Sequence, residues 1–296
     1  MFSKKSRLWI PKRKRRTWFS DKTGWDWLQF LVQVIGAIAI PLSIIVGLYT
    51  FTAQQKNDNL RTQQQFDENT HLLDAQQQET TLQTYFNDMT TLLFDDKLGG
   101  KAPTSAEAAV IARSKTITAL SRLHDRHRKR IVVQFLYESH LIGHYDLTDQ
   151  SMHPPIINLS GADLGGADFS YTTLSGANLS GALLYDADLH NTYLDNADLS
   201  HANLYNANLS YADLIGANLS GDYLYNANLI AADLDGANLS YADLMGDNLR
   251  AAHLEEADLS SADLSGANLY QAILFHAKLS GTILIGAIMP DGSTHP

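Results

Sequence analysis

A chain of 296 residues without cysteine has neither a disulfide framework nor a thiolate metal site, and its length suits one large domain or two modest ones. The formal charge of −10 is unevenly spread: residues 1–24 carry nine Lys/Arg against Asp21 alone, while residues 151–296 carry Arg250 and Lys278 against seventeen Asp/Glu. Such polarity fits an N-terminus that meets anionic lipid and an acidic C-terminal body that the same surface repels.

The basic tail, residues 1–24, is densest at Lys12-Arg13-Lys14-Arg15-Arg16. It precedes a stretch, 28–51, of twenty-four residues without a charged side chain. At about 1.5 Å per helical residue that stretch spans roughly 36 Å, enough for a bilayer core with tilt. Trp25 and Trp27 stand at one end, Tyr49 and Phe51 at the other, as interfacial aromatics do. A transmembrane helix over 25–53 is the expectation. A cleaved signal peptide is disfavoured by the length and by the lack of a small-residue cleavage site. A buried soluble helix is the plainer alternative. The basic run, read alone, also suits nucleic acid; beside a span it suits lipid headgroups. The positive-inside rule then places the N-terminus in the cytoplasm and the remainder across a single-pass membrane. Ala39, Ser43 and Gly47 form a small-residue stripe that would pack two spans into a homodimer, and Pro41 would kink the helix.

Residues 54–150 read as an α-helical spacer. A Gln-rich helix leaves the membrane and becomes amphipathic at Leu82, Tyr85, Phe86, Met89, Leu92 and Leu93. Gly99-Gly100 break it; Pro103 and Thr104 open a second helix, with Glu107 placed for a capping box and Val110, Ile117, Leu120 and Leu123 on its apolar face. A third carries Ile131, Val132, Phe135 and Leu136 and stops near Gly143. Arg122, Arg126, Arg128, Lys129 and Arg130 between them form either a solvated junction or a docking patch for lipid headgroups or for the acidic repeat body. His124/His127 and His140/His144 have helical metal-ligand spacing but no third ligand, and read as surface histidines.

Residues 151–296 are periodic. From Leu159 to Leu284 in steps of five there are 26 positions, all Leu save Phe169, and 20 of the residues two before them are Ala. The residue between is most often Asp or Asn. A period of five is neither helical nor that of a long strand; it suits a chain that turns a corner every five residues and stacks its coils to bury Ala and Leu. The residue after each central Leu, taken every twenty, is Ser from Ser160 to Ser280, and a second column reads Tyr185, Tyr205, Tyr225, Met245. Twenty residues per coil make four faces. At about 4.8 Å per coil the rod is roughly 30 Å long.

These residues resemble the pentapeptide-repeat family over about 155–290, and Ile288-Met289-Pro290-Asp291-Gly292 resembles its C-terminal closure. The resemblance implies a mainly β fold, a right-handed quadrilateral β-helix. Trp25-Asp26-Trp27-Leu28, residues 82–89 and residues 131–142 are similar to the membrane segment and linking region of many bacterial members, which supports the architecture alone.

Three function classes follow. The first is a membrane-anchored, non-enzymatic interaction or scaffold protein, with Tyr185, Tyr205 and Tyr225 stacked on one outer face beside Asp186, Asn206 and Asn226 as the site for a protein partner. The alternative is an acidic DNA mimic that binds a topoisomerase or another nucleic-acid enzyme; direct nucleic-acid binding by the repeats is not expected. For an enzyme, no nucleophile–base pair, phosphate loop or metal set is legible, and no cofactor is implied. Asp222 and Asp247 break the inward Ala rule and are expected to cap corner amides or to form a polar break in the core.

Overall fold

The computed structural model describes residues 24–94, 106–142, 144–146, 151–153 and 155–296. The basic run Lys12–Arg16 lies outside them. Five-residue periodicity becomes geometry through one repeated turn, and the accounting of a single repeat explains its sequence. Asp198 N–H donates to the Ala177 carbonyl of the preceding coil at 2.9 Å, while Leu199 N–H and His201 N–H donate to Asn218 and Ser220 of the following coil at 2.8 and 3.0 Å. Ala202 N–H closes the turn onto Leu199 O at 2.8 Å. That leaves the amide of Ser200, which donates to Asp198 Oδ1 at 3.1 Å. All five amides are thereby paired. The same side-chain cap recurs at Asn158, Asn178, Asn208, Asp213 and Asn238, which is why the position before Leu favours Asp and Asn.

The corner also dictates backbone sign. The second residue after each central Leu or Phe, from Gly161 to Gly286, has positive φ at all 26 positions. With a bond closing the four-residue turn and positive φ only at its third residue, the corner has the sign pattern of a type II turn.

Parallel bridges join residues twenty apart without interruption, from Asp163 with Leu183 to Asn268 with Ile288. Twenty residues per coil and four faces are therefore observed. The central Leu or Phe of each repeat and the Ala two residues before it point inward and are buried from Leu159 to Leu269. At the far end the chain turns back at Pro290-Asp291-Gly292: Ile288 bridges Thr294 antiparallel, and His295 N–H donates to Ala287 O at 2.8 Å.

The preceding region is helical: α1 Gly24–Phe94, α2 Ala106–Arg122 and α3 Arg126–Glu138, followed by an antiparallel pair, β1 His144–Asp146 and β2 Ser151–His153. Two compact units are distinguished, Met1–Leu72 and Leu73–Pro296. In the first, α1 runs without a break through the expected boundary at 53/54, so the uncharged stretch and the spacer's first helix are one element. Among the described residues no helix is long and apolar enough to cross a membrane. The expected span is described only in part, because the side chains of residues 38–43, including Ala39, Pro41 and Ser43, lie outside the described ones; Gly47 is exposed, with open space where a Cβ would stand.

In the second unit Leu82, Tyr85, Met89 and Leu92 of α1 are buried as their spacing predicts. Tyr85 and Phe86 meet Phe135 of α3 edge-on, with ring centroids 6.2 and 5.1 Å apart. Two apolar faces need correction. Val110 is 68% exposed and Ile131 45%, while Ala108, Ala112, Thr116 and Ala119 line the buried side of α2. Small residues let that helix approach closely, and the larger β-branched ones fall on the open side. Residues 95–105, with the expected break and the Pro103-Thr104 cap, lie outside the described residues.

Candidate functional site

The four faces carry different chemistry. Numbered along the first coil as 157–161, 162–166, 167–171 and 172–176, each face recurs every twenty residues, and on the second the column Gly165, Tyr185, Tyr205, Tyr225, Met245 runs along the rod. Tyr205 and Tyr225 stack with centroids 6.0 Å apart and planes 1° from parallel. Tyr185 lies over Gly165, where a Cβ would stand 2.3 Å from its Cζ. The three residues are 39%, 42% and 40% exposed. Leu183 and Tyr223, on the same face at bridging positions, are exposed as well. Sequence reading passed over these two because their column is otherwise explained by Asp/Asn capping.

The flanking residues sit at corners with left-handed backbones: Asp186, Asn206 and Asn226 have φ of 55°, 56° and 62°. Asn206 Nδ2 donates to Asp186 Oδ1 at 3.2 Å, and Asn226 Oδ1 stands 3.0 Å from where a Cβ on Gly246 would lie. All six residues of the expected partner face are thus brought together, the corners forming one polar edge of an aromatic strip.

The fourth face is acidic: Asp195, Asp213, Asp233, Asp235, Glu255 and Glu256 lie on it or at its corner, without a Lys or Arg. Burial raises the Asp213 carboxyl above its ordinary range; the Ile215 amide works against this, and the charges of Asp195 and Asp233 add to it. Asp233, Asp235 and His253 each bring a ligand atom within 4.8 Å of the others. One Asp235 oxygen is engaged by Glu255 N–H at 2.8 Å, and the two aspartates are half-buried while His253 is exposed. Its members come from neighbouring coils, which no local spacing reveals.

The basic cluster of the spacer docks onto the repeats. Lys129 Nζ donates to Asp163 Oδ1 at 3.0 Å and to Gly165 O at 3.2 Å, Arg130 lies 3.7 Å from Asp168, and His127 Nδ1 lies 3.6 Å from the same carboxylate. Arg113 of α2 donates to Ser160 O at 3.0 Å. Burial pushes the Asp168 carboxyl up, but the Ser170 hydroxyl and amide, with Arg130 and Arg126, outweigh it and hold the group below its usual value.

The sequence model described as "Pentapeptide repeats (8 copies)" matches residues 157–184, 182–221, 223–250 and 252–289. HetL, a pentapeptide repeat protein involved in heterocyst differentiation regulation from the cyanobacterium Nostoc sp. strain PCC 7120, is 37% identical, over 47% of this chain and 87% of its own, with a TM-score of 0.27. The chain belongs to the pentapeptide-repeat family. Rfr23, a pentapeptide repeat protein from the cyanobacterium Cyanothece 51142, is 39% identical over 32% of this pentapeptide-repeat chain and 64% of its own, with a TM-score of 0.30. QnrB1, a plasmid-mediated fluoroquinolone resistance protein, is 20% identical over 45% of this chain and 86% of its own, with a TM-score of 0.28. No curated protein matches the chain.

Proposed function

We propose that this pentapeptide-repeat protein is a non-enzymatic interaction or scaffold protein that holds a protein partner on the second face of its rod. The observation that carries the reading is the half-exposed Tyr205–Tyr225 stack, continued by Tyr185, Leu183 and Tyr223 on a flat, rigid face. Tyrosines with two torsions lose little freedom on binding and offer an apolar body with a polar tip, the composition of binding hot spots. Cross-strand stacking alone would also stabilise neighbouring coils. Replacing Tyr185, Tyr205 and Tyr225 together by Ser separates the two: loss of partner capture with an intact rod by circular dichroism supports recognition, and unchanged capture with a destabilised rod reduces the strip to a structural role.

Anchoring to a membrane through 25–53, with the repeats on the non-cytoplasmic side, belongs to the same reading; the uncharged stretch and the basic tail of the sequence support it. Protease added to intact spheroplasts is expected to remove the repeats, and protection until lysis would reverse the orientation. The second reading, an acidic DNA mimic held by a topoisomerase or another nucleic-acid enzyme, rests on the six carboxylates of the fourth face. It requires inhibition of such an enzyme by the wild-type rod and none by a variant with Asp195, Asp213, Asp233 and Asp235 changed to Asn.

A further inference from the structure

Two carboxylic acids lie inside the rod where 20 of 26 repeats place Ala. Asp222 is 1% exposed and Asp247 0%. Each uses one oxygen on the preceding coil: Asp222 Oδ1 accepts from Ala202 N–H at 3.0 Å, and Asp247 Oδ1 accepts from Ala227 N–H at 2.8 Å. The other oxygen of each, Oδ2, is buried and has no partner. Their column neighbours are Ala202 and Ala242 for Asp222, and Ala227 and Ala267 for Asp247. The charge of Asp198 acts on Asp222 and that of Asp243 on Asp247, both acidic, and the backbone amides of His201 and Asn226 also favour the respective carboxylates. Among the described residues no ion pair reaches either carboxyl. A buried carboxylate so placed lacks the cation or the second set of donors that would compensate its desolvation.

A protonated acid fits the same space, and the rod shows where its proton would go. Thr192 and Thr282 occupy the same inward position in other coils, and each donates its hydroxyl to the carbonyl twenty-three residues earlier, Phe169 O and Leu259 O, both at 2.8 Å. The corresponding carbonyls for Asp222 and Asp247 belong to Leu199 and Leu224. We propose that Asp222 and Asp247 are uncharged carboxylic acids in the folded rod, each accepting a corner amide through Oδ1 and donating its Oδ2 proton to Leu199 O or Leu224 O, and that together they form a proton-dependent lock on the middle coils.

Burial pushes both carboxyls up to about 9, and the corner amides offset only part of that. An unfolded Asp titrates near ~3.9. Stability from each group is therefore complete below the unfolded value and is lost as pH rises towards the folded one. Across that window folding takes up one proton per acid, so each lowers the folding equilibrium constant about tenfold per pH unit, and the two together about a hundredfold. The surface carboxyls held low, Asp168, Asp258 and Asp291, work in the opposite direction but only in acid.

The test uses the full chain and its Asp222→Asn/Asp247→Asn variant, since an amide keeps the acceptor and puts a donor where the acid O–H stands. Denaturant unfolding is measured between pH 5 and pH 9, with the infrared carbonyl band of protonated carboxyls recorded at neutral pH. The expected result is a band in the wild type that the double variant lacks, and a wild-type loss of stability with rising pH that the variant flattens. Absence of the band, or equal pH dependence in the two proteins, overturns the lock. Should the Asn variant fail to fold, Asp222→Ala/Asp247→Ala, which restores the residue of most other repeats, gives the same two readouts.

Discussion

At each corner of the rod one residue stands in the left-handed region, and fifteen of the 26 are not glycine. A Cβ in that region costs on the order of 1 kcal/mol, which glycine avoids. Ala231 and Ala251, with φ of 52° and 57°, gain nothing that offsets this; Ala231→Gly and Ala251→Gly are expected to raise stability by up to about 1 kcal/mol each, read as the denaturant midpoint. Gly166→Ala is the converse: φ is +63° and nothing lies within 4 Å of the new methyl, so its loss of about 1 kcal/mol isolates backbone strain from crowding. Gly165→Ala differs again, since its methyl meets the Tyr185 ring and would drive it off the face, a change visible in the ring's NMR shifts. The frequent Gly and Asn at these corners carried the left-handed signal in the sequence. Tyr171, Tyr211 and Tyr241 obscured it, because local propensity never places tyrosine there and only the stacked coils enforce it.

Among the elements, the junction of α3 with the first coil is where helix and repeat depend on one another. The first coil has no earlier coil to pair with, and α3 and the residues that follow it lie across it: Asp168 N–H reaches Arg126 O at 3.5 Å and Ile157 N–H reaches Leu141 O at 2.6 Å. Lys129, only 5% exposed along its side chain, closes the contact. Lys129→Met keeps the aliphatic stem and removes both bonds; a loss of about 1–3 kcal/mol is expected, with faster hydrogen exchange confined to residues 163–169. Because the Asp168 carboxyl is held low, its share of the contact is present at neutral pH and lost as pH falls through that depressed value. Protection of the first coil should therefore fall in acid more than that of coils beyond Leu199. The docking of this basic cluster was one of the readings its charge allowed, but charge alone pointed first to a solvated junction and did not choose between lipid and the repeats. The helix faces were legible where large apolar residues fell inward, as at Leu82 to Leu92, and misread at Val110, where α2 packs through Ala and Thr, and at Ile131, which stands outside the buried Val132, Val133 and Leu136 of α3.

For the molecule as a whole, the rod was legible in the sequence because the sequence repeats the geometry: the period sets the corner, the twenty-residue columns set the four faces, and the Ala–Leu pair sets the core. The full extent of the first helix was not. An uncharged stretch and a Gln-rich stretch look like separate elements by composition, yet both satisfy their backbones internally as helix, and α1 runs through both from Gly24 to Phe94. The aromatic strip was half legible, since three tyrosines share a column, while Leu183 and Tyr223 come from a column whose other members cap amides. The central claim, that this strip and not another face is the recognition surface, is tested most directly by placing a photo-crosslinking residue at Tyr205 on the second face and, separately, at Ser220 on the first. An adduct of one defined mass from position 205, absent from position 220 and suppressed by Tyr185→Ser/Tyr225→Ser, is the result expected. Equal adducts from both positions, or an adduct from position 220 alone, would contradict it.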